Sequence, residues 1–195
     1  MRTAEIKRKT AETDVSLYID LDGSGKSEIN TGVGFMDHML TLLAKHSGFD
    51  LSVSCSGDTY VDDHHSVEDI GIALGQALRA ALGRKVGIRR YGSALIPMDE
   101  ALIQTAVDLS GRSYLGYRLE IPTEKVGSFD TELIEEFFAA LTREAGICLH
   151  IDRLSGKNSH HIIEGAFKSV ARSLREASEI DPRFSDSLPS TKGAL

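Results

Sequence analysis

Apolar and polar residues alternate through "DVSLYID", placing Val15, Leu17 and Ile19 on one side, and this period of two predicts a half-buried strand. The Gly-rich "DGSGKS" that follows predicts a turn. In "DHMLTLLAKHSG" the period changes: Met39, Leu42 and Leu43 take helical spacing, and Gly48 suits a C-terminal stop. "FDLSVSC" predicts another strand. Then "SVEDIGIALGQALRAALG" lines Ile70, Ala73, Leu74, Ala77, Leu78 and Ala81 along one face of a long helix ended by Gly83. The first half reads strand, helix, strand, helix.

The second half returns to that order. "EALIQTAVDLSG" and "SYLGYRLEI" predict strands, "TELIEEFFAALTREAG" a helix, "ICLHID" a strand and "HHIIEGAFKSVARSLREA" a helix. Gly48-Phe49 falls on Gly146-Ile147 at an offset of 98, and His64-His65 falls on His160-His161 at an offset of 96. A two-residue difference in the intervening loop accounts for the slip, so the pattern predicts an internal duplication. The expected architecture is an α+β two-layer sandwich of duplicated ββαβα-type halves, with helices on one face of each sheet. Residues 1–85 form the first repeat, 86–180 the second, and 181–195 a tail. By composition that tail, "DPRFSDSLPSTKGAL", is a disordered end.

A chain of 195 residues with 41% hydrophobic content can bury a substantial core. Its net charge of -7 argues against a general nucleic-acid binder, because phosphate-backbone affinity comes from clustered Lys and Arg. No apolar run approaches the roughly 20 residues that span a bilayer, and "MRTAEIKRKT" carries no apolar signal core, so a cytoplasmic protein is expected. Cys55 and Cys148 lie in short strand-like runs and are expected as core thiols without a disulfide.

The chemistry concentrates at the histidines. "DDHHSVED" and "SHHIIEGA" each place two histidines ahead of a glutamate, in a chain with only 7 histidines. Residues three or four apart share a helical face, so Glu68 can stand near His64 or His65 while the two imidazoles diverge. Adjacent imidazoles at a helix start can serve two different metals, and His160, His161 and Glu164 repeat the arrangement. Histidine and carboxylate together suit Mn, Fe or Zn. His38 falls on Glu136 at the same offset of 98, which extends the set. A symmetric division follows: His38, His65, Glu68 and one histidine of the second pair on one ion, and Glu136, His161, Glu164 and one histidine of the first pair on the other. If the helix starts do not meet within one subunit, the sites lie between subunits. The blander reading, histidines capping helices or lying on the surface, explains one pair better than two pairs at matched positions. His46 is expected near the site, and His150 as a packed strand residue.

"TGVGFMDHML", "DDHHSVEDIGIALGQAL", "RRYGSALIPMDEAL", "DLSGRSYL" and "SHHIIEGAFKSVARSLREA" together resemble the imidazoleglycerol-phosphate dehydratase family, over nearly the whole chain. The resemblance implies a fold like ribosomal protein S5 domain 2, two Mn ions per active site at subunit interfaces, and an octahedral homo-oligomer of twenty-four chains. The partner it implies is a small phosphorylated imidazole, with no nucleic acid and no membrane. The implied reaction removes water from imidazole glycerol phosphate to give imidazole acetol phosphate, in histidine biosynthesis. An azolate can bridge two cations through its two nitrogens, which gives both ions a purpose. Where many members carry histidine this chain has Glu136, which is also a ligand type. The resemblance further implies proton transfer by Glu12 with the liganding Glu68 and Glu164. Its substrate contacts are Glu12, His38, His46, Arg90, Arg112, Lys168, Ser190 and Lys192, with Arg89 competing for the role of Arg90. The tail is then expected to fold over the substrate phosphate. No GxGxxG opens a helix and no P-loop is present. Two other readings share these residues: a dinuclear hydrolase, which would activate a metal-bound water, and a metal-buffering protein, which would need neither Glu12 nor the cations.

Overall fold

The computed structural model describes residues 1–193. The first half contains β1 (Thr3–Lys9), β2 (Thr13–Asp20), β3 (Ser27–Asn30), α1 (Gly34–Ser47), β4 (Asp50–Gly57) and α2 (His64–Leu82). The second contains β5 (Tyr91–Met98), β6 (Ala101–Asp108), β7 (Tyr114–Arg118), the short hairpin β8 (Lys125–Val126) and β9 (Phe129–Asp130), α3 (Leu133–Ala145), β10 (Cys148–Ser155) and α4 (Ser159–Ser178). Strand order is β1-β2-β4-β3 in one sheet and β5-β6-β10-β7 in the other, and in each only the last pairing is parallel. The two halves repeat one topology, and the protein is a mixed α+β fold.

Each half carries an edge strand that the hydrophobic pattern does not announce. β3 is four residues long and only Ile29 is even half buried. β5 turns Gly92, Ala94, Ile96 and Met98 inward, a weak apolar signal, and its Pro97 is tolerated because an edge strand leaves one row of N–H groups unpaired. By contrast β2 alternates buried and exposed residues through its length, with Val15, Leu17 and Ile19 inside. Gly48 and Gly146 end α1 and α3 in the left-handed conformation, at φ 79° and 64°, where a β-carbon would be strained.

Each half is a sheet covered by helices on one face, and the two halves meet through those helices. α2 lies on β1 and β2, and α4 on β5 and β6, while α1 packs against α4 and α3 against α2 across the halves. Gly71 and Gly75 let α2 approach α3 closely: a β-carbon on Gly75 would stand 2.7 Å from the Leu141 carbonyl oxygen. Phe137 of α3 stacks on Phe167 of α4 with ring centroids 5.3 Å apart, and both are fully buried. Cys55 in β4 and Cys148 in β10 are free thiols that burial makes less acidic. His150 packs its ring 5.2 Å from that of Tyr114 on β10's neighbour β7.

Candidate active site

The start of α4 is fixed by Asn158, whose side-chain oxygen accepts the backbone N–H groups of His160 and His161. Both rings are thereby held in the first helical turn. Packing brings α1 alongside with its N-terminus at the same end, so His38 meets this turn. His38 Nε2 lies 3.5 Å, and His160 Nε2 3.1 Å, from Glu164 Oε2, and one ligand atom from each residue lies within 4.8 Å of the others. Among the described residues this is the one such cluster of possible metal ligands. Glu164 is only 8% exposed and its other oxygen accepts a 2.6 Å ion pair from Lys168. Burial pushes its carboxyl up, but Lys168 together with His38 and His160 outweighs burial and holds it below the usual carboxylate range. His46, about two turns on from His38 toward the end of α1, is pulled down by burial and by the charges of Lys168 and Arg172.

The start of α2 has the same design with different partners. Asp62 accepts the His64 backbone N–H at 2.8 Å. His64 Nε2 is 3.9 Å from Glu68, the loose counterpart of the His160–Glu164 contact. Glu68 is engaged instead by Arg143 of α3, at 3.6 Å. Glu136 is exposed on α3, and the ligand cluster does not include it. Within one chain, therefore, His38 groups with His160 and Glu164, a different division from the symmetric one expected.

The second histidine of each pair points away from its own helix. His65 Nδ1 is 3.0 and 3.1 Å from the two oxygens of Asp58, and its Nε2 is 3.8 Å from Glu12 in the β1–β2 turn. His161 Nδ1 is 2.7 Å from Glu100, and its Nε2 3.8 Å from Asp99, both in the β5–β6 turn. Both imidazoles are made more basic, by Asp58 and by Glu100 respectively. Glu100 is pulled down to about 2 by His161 and by the backbone N–H groups of Asn158 and Lys157. Asp58 and Glu100 are absent from the sequence-based set. The two sequence offsets do not mark them: Asp58 falls on Gly156, and Glu100 becomes the counterpart of Glu12 only through the strand registers.

The cations expected at a phosphate separate into two places. Lys168 is at the α1–α4 cluster. Arg90 is at the far end of α4, where its backbone N–H bonds the Ala177 carbonyl, and its φ of 74° is unusual for a residue with a side chain. Its guanidinium forks onto Asp108 at 2.7 and 3.2 Å and donates to the Pro189 carbonyl at 2.8 Å. Arg112 is exposed, 3.9 Å from the same Asp108. Arg89 pairs with Glu179 instead, so Arg90 is the arginine that shares a carboxylate with Arg112 and touches the tail. The tail runs back along residues 87–90: the N–H of Gly87 bonds Ser187, and Ser190 is half buried while Lys192 is exposed. Positions 194 and 195 of that tail lie outside the described residues.

An open hollow of about 490 Å³ lies beside the cluster, lined by Val33, Phe35, His38, Asp63, Phe129 and His160. A larger one of about 810 Å³ between β7 and α3 touches none of the expected site residues, and its size alone does not outweigh the ligand geometry of the smaller. No helix among the described residues is long and apolar enough to cross a membrane.

A family model described as imidazoleglycerol-phosphate dehydratase matches residues 31–174. Relatives with that name include one from Cereibacter sphaeroides (strain KD131 / KCTC 12085), 63% identical over all of both chains, and one from Dinoroseobacter shibae, 60% identical over all of both. The crystal structure of imidazoleglycerol-phosphate dehydratase from Staphylococcus aureus is 44% identical with a TM-score of 0.84, covering 92% of this chain and 99% of that one. The enzyme of the same name from Pyrococcus furiosus, in complex with (S)-C348, is 38% identical with a TM-score of 0.84, covering 97% of this chain and all of that one.

Proposed function

The chain belongs to the imidazoleglycerol-phosphate dehydratase family, and on that basis we propose that it converts imidazole glycerol phosphate to imidazole acetol phosphate with the help of two manganese ions. That it is a dehydratase of histidine biosynthesis follows from the family itself. The observation that carries the metal reading is the convergence of His38, His160 and Glu164 within 4.8 Å. Two imidazoles and an ionised carboxylate suit a borderline divalent ion. His38, His160 and Glu164 would hold such an ion, which would supply Lewis-acid stabilisation of the negative charge that develops as water is lost.

The chain's own residues divide the remaining work. Glu12, whose carboxylate is 3.8 Å from His65 Nε2, is the candidate base for the proton on the carbon next to the leaving hydroxyl. Glu68 and Glu164 would combine ligation with proton handling. His46 and Lys168 would line the substrate beside the cluster. Arg90, Arg112, Ser190 and Lys192 would hold the phosphate, with the tail folding over it.

One substrate cannot use all of these from a single chain. His160 and Ala177, where Arg90 is anchored, are about 25 Å apart at 1.5 Å rise per helical residue. Along β5, Arg90 and Met98 at the start of the Glu100 turn are about 26 Å apart at about 3.3 Å per residue. Imidazole glycerol phosphate is far shorter. The active site is therefore read as assembled from more than one chain, in the octahedral oligomer that the family resemblance implies.

Turnover of imidazole glycerol phosphate by metal-stripped protein, with Mn²⁺ titrated back while light scattering follows particle mass, tests this reading. Activity and mass should rise together toward two ions per chain. Full assembly without turnover would refute the proposed chemistry.

A further inference from the structure

We propose that Asp58 and Glu100 are positioning residues that set His65 and His161 with Nδ1 protonated and Nε2 turned outward as a ligand atom. The inference rests on the metal reading above and assigns the groups that would make it work.

The two helix starts treat their histidines alike. The first of each pair, His64 or His160, presents Nε2 to the glutamate four residues on. The second, His65 or His161, is held from outside its helix, and in both cases the held atom is Nδ1. An ionised carboxylate can only accept a hydrogen bond, so Nδ1 carries the proton and the Nε2 lone pair is left free. The Glu100 carboxylate is itself restrained, and Asp58 is held through its backbone. Glu100 Oε1 accepts the backbone N–H groups of Lys157 and Asn158, at 3.1 and 2.8 Å, and the Asp58 N–H bonds the Glu12 carbonyl.

Duplication does not account for the match. At the offset of 98 Asp58 falls on Gly156, while the strand registers, in which Ile19 and Val107 face the equivalent Leu51 and Leu149, make Glu12 the counterpart of Glu100, and Glu12 stands 3.8 Å from the other nitrogen of His65, not at its Nδ1. One carboxylate follows β4 and the other lies in the β5–β6 turn, so two unrelated positions supply the same contact to equivalent histidines. Shared descent of the halves would give a repeated residue. A repeated contact from different residues points to a requirement on the ring, and a fixed tautomer is the requirement a metal-binding imidazole has.

The test uses the full chain with ¹⁵N-labelled histidine. In the metal-free protein above the imidazole pKa values, nitrogen shifts should report His65 and His161 as Nδ1–H tautomers. Asp58→Ala and Glu100→Ala should each lose that preference at their own histidine and bind Mn²⁺ about 10- to 100-fold more weakly, read by competition with a chromogenic chelator. Asp58→Asn and Glu100→Gln keep an accepting oxygen and should restore the tautomer. Alanine variants that keep the tautomer overturn the proposal, whether or not their Mn²⁺ affinity falls, since a loss of affinity alone would mark a merely structural role. A wild-type chain that binds no Mn²⁺ would sink the metal reading, while the tautomer measurement would still decide whether the two carboxylates set the rings.

Discussion

Glu12 lies in a turn with half of its side chain exposed, and taken alone it looks like any solvated acid. What distinguishes it is the neighbouring His65 ring, a contact that only folding creates. Glu12→Gln keeps the shape and would remove the proposed base, so kcat should fall about 10²- to 10⁴-fold while equilibrium dialysis finds Mn²⁺ binding unchanged. Unaltered kcat would eliminate it as the base. Asp50 makes a pH-dependent case away from the site. Its carboxyl is held below the ordinary value of 3.8 by the N–H groups of Lys26 and Ser24 in the glycine-rich turn. A carboxyl that is more acidic folded than unfolded adds stability above its unfolded pKa and loses it as pH falls through the folded one. Asp50→Asn should thus lower the melting temperature at pH 7, and the gap should close as pH falls below the ordinary carboxylate value and through the lower folded one. At this scale the sequence revealed the histidines and Glu164 by repetition. It did not reveal Asp58, Glu100 or the pairing of Glu68 with Arg143, because each is a contact across elements with no periodic signature.

Helices were the legible elements. α2 and α4 begin at the His pairs because polar caps meet apolar 3.6-residue periodicity there, while β3 and β5 escaped notice because edge strands bury few large side chains. The period also says nothing about which helices touch. Gly71 and Gly75 read as weak points inside a helix, yet they form the surface on which α3 rests. A β-carbon at Gly75 would stand 2.7 Å from both the Leu141 oxygen and the Glu144 β-carbon. Gly75→Ala should therefore destabilise the metal-free protein by about 1–3 kcal/mol despite its better helix propensity. Calorimetry should show that as a melting temperature lower by about 2 to 12 °C for a chain of this size. A stabilised variant would mean that α3 moves aside freely.

For the molecule as a whole, the distance along α4 makes a prediction that no single side chain does. On the proposed reading His160→Ala would damage a metal end and Arg112→Ala a phosphate end, and each alone should be nearly inactive. Dissociated, mixed in equal amounts and reassembled with Mn²⁺, the two should regain activity toward about one quarter of wild type. Only sites that draw each end from the chain in which it is intact would work. No recovery would place the whole site within one chain. The duplication was legible from two offsets, but the way the halves join was not, since matching residues say nothing about which faces meet. That join has its own consequence. α1 corresponds to α3 and α2 to α4, so the contacts α1 with α4 and α3 with α2 are one contact made twice, the mark of a two-fold pair. A gene encoding a single half would have produced a protein with a bare helical face that only its own twin could cover. The present chain is that dimer written as one polypeptide, and a cut in the link between residues 83 and 90 should leave the two pieces bound as partners.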